Sequence, residues 1–380
     1  MTDEYDVAVV GAGPAGAAAA LAARRAGARV LLLDRADFPR DKTCGDGIAA
    51  HALDVLAGLG VTDAVDGYAP LPRLRLVGPG GGAVARPLPR PAYTVPRKVF
   101  DARLVAAAVA AGAELRRHTV RRVEARDGRV VLDGDIAARA VVGADGAGSV
   151  VRRALGHPPN PDRHLALAVR GYAPALPGPP EQLIVTSAPR WPAYAWSFPI
   201  GDGRANVGYG EVLRGEPLTR AHLLDRLAAL LPGTDPARVT ALRAHHLPLS
   251  THRPSPGRGR LVLAGDALSL INPFTGEGIF YALLSGALAG VAAAGDPGGA
   301  ARRYADALRR RLGTHLRHSS AAARLARRRW VVDGAVRAAR RDERVFGTVV
   351  ELGLGDGRLD ARTLAMIGIG ISGRDGPPGD

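Results

Sequence analysis

Six residues near the start, Gly11-Ala12-Gly13-Pro14-Ala15-Gly16, limit the fold more than any other part of the chain, because of what surrounds them. A mostly apolar stretch (5–10) precedes them, an alanine-rich segment runs on to Ala26, and a second apolar stretch (29–33) ends at Asp34. Strand, glycine turn, helix, strand and acid, in this order, make a βαβ unit of the dinucleotide-binding type. Gly11 permits the tight turn. Gly13 lets the backbone approach a pyrophosphate at the positive end of the following helix, and Gly16 lets that helix pack close to the strand. Asp34, 23 residues after Gly11, is placed to accept hydrogen bonds from a ribose.

Composition narrows the class. With 380 residues, 47% hydrophobic and 23% charged, the chain reads as an ordinary soluble globular protein with room for two or three domains. The single cysteine, Cys44, excludes an internal disulfide and a multi-cysteine metal centre. His118, His245, His246 and His252 match no metal-ligand spacing and read as surface or domain-interface residues, so no metal is expected. No apolar run reaches the roughly 18 residues of a membrane span, and the longest (282–294) is broken by glycines and a serine. The acidic start MTDEYD lacks the basic-then-apolar order of a signal peptide, so a cytoplasmic location is expected. A net charge of +15 would suit nucleic acid, yet all but two of the 51 Lys and Arg residues, Lys42 and Lys98, are arginines spread along the chain. Without a lysine-rich block or an RNA-binding aromatic motif, an anionic substrate or a membrane surface fits that charge better than nucleic acid does.

Helical spacing over 48–59 and 97–111, with extended patterns over 71–84, 114–123, 130–132 and 137–142, continues the α/β alternation. The last of these strands runs into Gly143-Ala144-Asp145-Gly146, which puts a carboxylate at the carboxyl edge of the sheet, where such folds bind ligands. Asp145 either holds the loop beside a nucleotide or caps the helix starting at Gly148-Ser149. Arg152 and Arg153 read as solvated or paired surface residues. From about 162 to 254 longer strands (165–172, 193–199, 205–210) carry tryptophan, tyrosine and proline, the expected antiparallel substrate domain. A buried strand (260–264) and a second glycine-rich loop then lead into an apolar helix, so a second set of backbone N–H groups points at the same crevice. Beyond 300 the chain is arginine-rich and helical to about 354, and SGRDGPPGD at the end reads as disordered.

Together these motifs resemble a known family. GAGPAG with Asp34, CGDGI (44–48), RKVFDARL (97–104), GADGAGSVVRRALG (143–156) and GDALSLINPFTGEGIFYAL (265–283) are similar, in order and spacing over roughly residues 4–300, to the geranylgeranyl reductase family, flavoproteins of the para-hydroxybenzoate hydroxylase fold. The resemblance implies an α/β protein: a Rossmann-like FAD-binding domain with an antiparallel-sheet substrate domain and a helical C-terminal region. The corresponding division is a discontinuous FAD-binding domain (1–66, 95–160 and 255–300), a substrate-binding β-sheet domain (67–94 and 161–254), a C-terminal helical region (301–371) and a disordered tail (372–380). It further implies FAD held by Gly11, Gly13, Ala15 and Gly16 at the pyrophosphate and by Asp34 and Arg35 at the adenosine ribose. Gly45, Asp46 and Ile48 would lie along the ribityl chain and isoalloxazine edge, Arg97 would offer a charge-assisted bond, a strand residue near Val120 would meet the adenine, and Asp145 would hold the nucleotide loop. Gly265 and Asp266 would take the ribityl hydroxyls, while Gly276, Gly278 and Ile279 would turn N–H groups at a helix start to the flavin's pyrimidine side.

The segment 192–199 is similar to the YxWxFP segment of the same family, and alternation along a strand sends Tyr194, Trp196 and Phe198 to one face, as a pocket wall or as core. Pro273 and Phe274 complete the implied substrate contacts. Cys44, beside the implied isoalloxazine, either donates a proton and steers the substrate or simply fits against the flavin. With Tyr194 and Trp196, whose faces can stabilise developing positive charge, it makes the candidate catalytic set. The implied activity is reduction of double bonds in a prenyl (geranylgeranyl-type) or similar apolar substrate, as a diphosphate, on an ether lipid or on a quinone, by hydride from flavin N5 and a proton from a nearby donor in a water-excluded tunnel. The alternative is an FAD-dependent monooxygenase or a halogenase tailoring an aromatic or polyketide secondary metabolite, because one fold hosts all three. Against a halogenase, Tyr194 and Phe198 depart from the WxWxIP of those enzymes. No second nucleotide fingerprint is visible, so the electron donor is NAD(P)H bound at the surface or a reduced carrier. The basic helices after Arg302 are a candidate peripheral membrane contact, and nothing in the sequence reports an oligomeric state.

Overall fold

The computed structural model describes residues 4–126 and 128–372. The chain opens with β1 (Glu4–Val10), α1 (Pro14–Arg25) and β2 (Val30–Asp34). Next come β3 (Gly47–Ile48), α2 (Ala50–Gly58), the hairpin β4 (Leu71–Val77) and β5 (Ala83–Thr94), then α3 (Arg97–Ala110), β6 (Glu114–Arg117), β7 (Val123–Arg126), β8 (Arg129–Leu132), β9 (Ile136–Gly143) and α4 (Val150–Ala154). The middle of the chain forms β10 (Leu165–Pro174), β11 (Glu181–Thr186), β12 (Ala193–Pro199), β13 (Arg204–Val212), α5 (Arg220–Leu230) and β14 (Thr240–Pro248). It closes with β15 (Gly257–Arg258), β16 (Leu261–Leu263), α6 (Ile279–Ala294), α7 (Ala300–Leu325), α8 (Arg329–Arg341), α9 (Glu343–Leu354) and α10 (Ala361–Ser372).

Among the described residues these strands make two eight-stranded sheets. In the first, β16, β9, β1, β2 and β6 are parallel neighbours in that order. Their continuous apolar runs, such as Val7-Ala8-Val9-Val10, Leu31-Leu32-Leu33 and Val141-Val142, are buried, as strands covered on both faces must be. Helices α1 and α6 meet backbone to backbone: a Cβ on Gly286 would lie 2.1 Å from the Ala15 carbonyl oxygen, and one on Gly290 would lie 2.2 Å from that of Ala19. The two glycines are four apart and share a helix face, and the small alanines of α1 complete the close approach.

The second sheet runs β14-β10-β13-β12-β11-β4-β5-β3. It is antiparallel apart from the pair β4 and β11, which the antiparallel expectation did not include. One side of it is closed by the C-terminal helices: Leu74, Val84, Leu88, Ala92 and Ile184 share an apolar cluster with Val336, Ala338, Ala339, Val345, Phe346 and Val350. The arginine-rich tail is therefore amphipathic, with its apolar face in the core.

Three local expectations change. The single strand over 114–123 divides into β6 and β7, because the Asp133 carboxylate takes the N–H groups of Arg121 and Arg122 and bonds the His118 ring at 2.7 Å, holding 118–122 as a loop. Arg152 is buried rather than at the surface, donating to Ser269 Oγ at 2.8 Å and Asn160 Oδ1 at 2.9 Å. Helix continues past 354 as α10 and takes in Ser372, while the rest of the segment read as disordered lies outside the described residues. No described helix is long and apolar enough to cross a membrane.

Candidate active site

A continuous cavity of about 660 Å³ is lined by Gly11, Gly13, Ala15, Asp34 and Arg35, by Cys44, Gly45, Ile48, Arg97 and Val120, by Asp145 and Asp266, by Gly276, Gly278 and Ile279, and by Tyr194, Trp196 and Phe198. Most residues singled out from the sequence are thus brought to one cavity. Gly11 adopts φ +97°, and a Cβ there would lie 2.4 Å from the Ala144 carbonyl oxygen, so only glycine fits the turn. Asp34 is held in place by the N–H groups of Ala12 (2.9 Å) and Ala36 (3.0 Å).

The loop from Asp41 to Ile48 is stitched to the second sheet. Arg170 of β10 donates to the carbonyls of Cys44 (3.2 Å) and Lys42 (3.0 Å) and pairs with Asp41. Asn206 of β13 donates to the Cys44 carbonyl (2.9 Å) and to Asp46 (2.8 Å), and accepts from Trp196 Nε1 (2.8 Å). The Tyr172 hydroxyl donates to Asp46 at 2.6 Å. Asp46 itself has φ +59°, and burial pushes its carboxyl up to about 6 against these bonds. The aromatic row lies directly over this loop, since a Cβ on Gly45 would meet Trp196 Nε1 at 3.3 Å and Phe198 at 3.5 Å.

Cys44 lies beside the Arg97 guanidinium. Burial raises its pKa more than Arg97 lowers it, so the group is a thiol at neutral pH and carries a proton. Arg97 forms a buried bidentate pair with Asp101 (2.5 and 2.8 Å), and Arg40 joins Asp101 at 3.3 Å and Asp34 at 3.6 Å.

Residues 4–284 match the family model described as an FAD binding domain. The chain is 35% identical over 317 residues to a menaquinone reductase of Mycolicibacterium smegmatis, covering 76% of each protein. It is 36% identical over 307 residues to digeranylgeranylglycerophospholipid reductase 1 of Methanopyrus kandleri, covering 76% of this chain and 80% of that one. The chain belongs to the geranylgeranyl reductase family of FAD-dependent oxidoreductases. Its fold agrees with that of a geranylgeranyl bacteriochlorophyll reductase-like protein of Thermoplasma acidophilum, with a TM-score of 0.79 at 22% identity over 98% of this chain and 96% of the other.

The residues present fit the FAD that membership in this family implies. The face of Gly13 is open: a Cβ there would meet only Arg40 Nη2, at 3.6 Å, so backbone and a guanidinium flank one space at the start of α1, as a pyrophosphate requires. Asp145 does cap α4, accepting the Val150 N–H at 2.6 Å, and its other oxygen is buried on the cavity wall without a partner. That orphan acceptor suits a hydroxyl or N–H of a bound nucleotide. Gly16 and Gly265 stand behind the wall. A Cβ on Gly16 would lie 1.7 Å from the Gly11 carbonyl oxygen, and Gly265 has φ +58° with its N–H on Ser285 Oγ, so each shapes the cradle without lining it.

Some expected contacts are corrected. The Asp46 side chain is turned away from the cavity, toward Tyr172 and Asn206, because the left-handed backbone at this position reverses it. Val120 reaches the cavity wall from a loop rather than a strand. Pro273 and Phe274 do not line the cavity. Asn272 Oδ1 accepts the Phe274 N–H (2.9 Å) while Asn272 Nδ2 is tied to Tyr281 and to the Leu352 carbonyl, which folds the loop so that Thr275 to Gly278 come forward.

Other wall residues escaped the sequence reading. Lys42 Nζ lies 2.7 Å from His245 Nε2; burial lowers Lys42 to about 8, although Asp266 opposes this, and burial with Lys42 nearby lowers His245 to about 3. The nearness of Arg40 and Lys42 to Cys44 in sequence, and an arginine inside the apolar run of β10, were the available signals. Leu354, at the end of α9, lines the cavity with no signal in its local sequence.

Proposed function

We propose that the protein reduces carbon–carbon double bonds in a prenyl or similarly long apolar substrate, using reduced FAD that is recharged by NAD(P)H or a reduced carrier. The observation that carries this reading is the continuous cavity lined by the glycine turn, the Cys44 loop and the Tyr194, Trp196 and Phe198 row together. The names of the relatives bring geranylgeranyl lipids and quinones to this chain as the substrate class. Bound FAD supplies the two-electron reduction. The chain's own part is to present a proton on Cys44 Sγ, to set the faces of Tyr194 and Trp196 against developing positive charge, and to keep water out with Ile184 and Leu354.

In this reading the FAD-binding part is drawn from 1–66, 95–160 and 255–300, the substrate sheet from 67–94 and 161–254, and the protein works in the cytoplasm. The C-terminal region rests on anionic lipid: Leu325 and Trp330 are exposed next to Arg324, Arg327, Arg328 and Arg329 in the chain, and arginines at such a surface contribute about 1 kcal/mol each. It does not take nucleic acid.

The deciding experiment incubates dithionite-reduced holoprotein under nitrogen with C20 prenyl substrates and reads the mass of the product. Addition of two hydrogens per double bond supports the proposal. Untouched prenyl chains, together with oxygen consumption matched to a hydroxylated aromatic product, make it a monooxygenase. Trp196→Ala is expected to weaken prenyl binding by about 1–3 kcal/mol through lost apolar burial while leaving the flavin spectrum in place. Cys44→Ser is expected to retain FAD and to slow reduction or alter how many bonds are reduced; an unchanged rate and product pattern would make Cys44 a packing residue.

A further inference from the structure

Glu277 stands between Gly276 and Gly278, where the loop enters α6, and lines the cavity together with Cys44, Arg97 and Tyr194. Its Oε1 accepts the Phe280 N–H at 2.8 Å, in the first turn of the helix. Among the described residues it forms no ion pair. The charged and titratable groups that act on it are His51 of α2, itself paired with Glu351 of α9 at 2.8 Å, Arg97 of α3, Tyr194 of β12 and Tyr281 of its own helix, and the Asp266 carboxylate lines the same cavity, 3.8 Å from a Cβ built on Gly278. Burial outweighs the helix N–H groups and pushes the carboxyl up to about 7. This acid therefore occupies the helix end that the proposed FAD pose gives to the flavin's pyrimidine side. The positive end of one helix stabilises one negative charge; two anions in the same enclosed corner repel, and the weaker acid of the two takes a proton.

We propose that Glu277 is a proton-holding group coupled to the redox state of the flavin, a carboxylate beside oxidised FAD and a carboxylic acid beside reduced FAD. Two electrons from an external donor enter the flavin with one proton, leaving it with one added negative charge, and a second proton passes from solvent to the Glu277 carboxylate. Atoms and charge balance as two electrons and two protons taken up per turnover of the cofactor. The inference rests on the reading that places the pyrimidine edge at Gly278 and Ile279.

The test is the midpoint potential of bound FAD, measured spectroelectrochemically from about pH 7 upward in the wild-type holoprotein and in Glu277→Gln, whose amide oxygen can still accept the Phe280 N–H. Two protons per two electrons change the reduction equilibrium a hundredfold per pH unit, about 59 mV, and one proton changes it tenfold, about 30 mV. The wild type is expected to follow the steeper line and the variant the shallower one. Parallel lines, with the variant displaced to higher potential, would mean a Glu277 that is near the flavin but keeps its charge, which overturns the inference and leaves the FAD placement standing. Superimposed lines would mean a Glu277 whose charge does not change with the flavin, which overturns the inference. A wild-type slope of about 30 mV rejects the inference without any variant.

Discussion

Replacement of Gly13 by valine is expected to give a folded but colourless protein. In the protein itself the position is open, with φ −72° and only Arg40 Nη2 near a built Cβ, so the side chain meets no backbone and the fold is retained. The same open face is where a pyrophosphate must come against the start of α1. Valine methyls there force the phosphates away from the helix N–H groups, and the expected loss is about 3 kcal/mol, roughly 100-fold in FAD affinity. Absorbance at the flavin band relative to protein, with circular dichroism as the control for folding, reads the result. Flavin bound at wild-type stoichiometry and affinity would remove Gly13 from the cofactor site.

A larger effect on stability is expected from one methyl group at Gly290. Its Cβ would lie 2.2 Å from the Ala19 carbonyl oxygen, a backbone atom that cannot rotate aside. Gly290→Ala must separate α6 from α1 by about an ångström along a buried contact, at a cost of roughly 3 kcal/mol or more. Thermal unfolding reads this directly. Gly58→Ala, at a helical position with nothing within 4 Å of its Cβ, is the matched control and is expected to be neutral or to stabilise by about 0.5–1 kcal/mol. Equal unfolding temperatures for the two variants would show that the helices give way easily.

The parts of the fold that were legible from sequence are those decided locally. The Gly11 turn, the helix after it and Asp34 are set by backbone freedom and apolar periodicity within 30 residues, and Tyr194, Trp196 and Phe198 reach one wall because strand alternation requires it. What stayed hidden depends on partners far along the chain. Arg170, Tyr172 and Asn206 acquire their meaning only when β10 and β13 come against the Cys44 loop, more than 120 residues earlier. Lys42 and His245 are 203 residues apart. The helices after Ala300 read as a basic surface for a membrane contact because arginines dominate their sequence, while the apolar face of α8 and α9 closes the second sheet. Phe274, a substrate contact implied by the family resemblance, is redirected by a single asparagine turn.

The stitching of the Cys44 loop to β10 and β13 has a consequence for how substrate range can change. Guanidinium, amide and phenol groups lock the reducing centre and the aromatic strand into one frame, so breathing motions that widen the chamber cannot come from that side. Ile184 of β11 and Leu354 at the end of α9 line the same cavity with apolar side chains that take no part in this stitching, and they can be resculpted. Substitutions at Leu354 or Ile184 can lengthen or shorten the chamber for a new chain length while the hydrogen-bonded frame is left as it is.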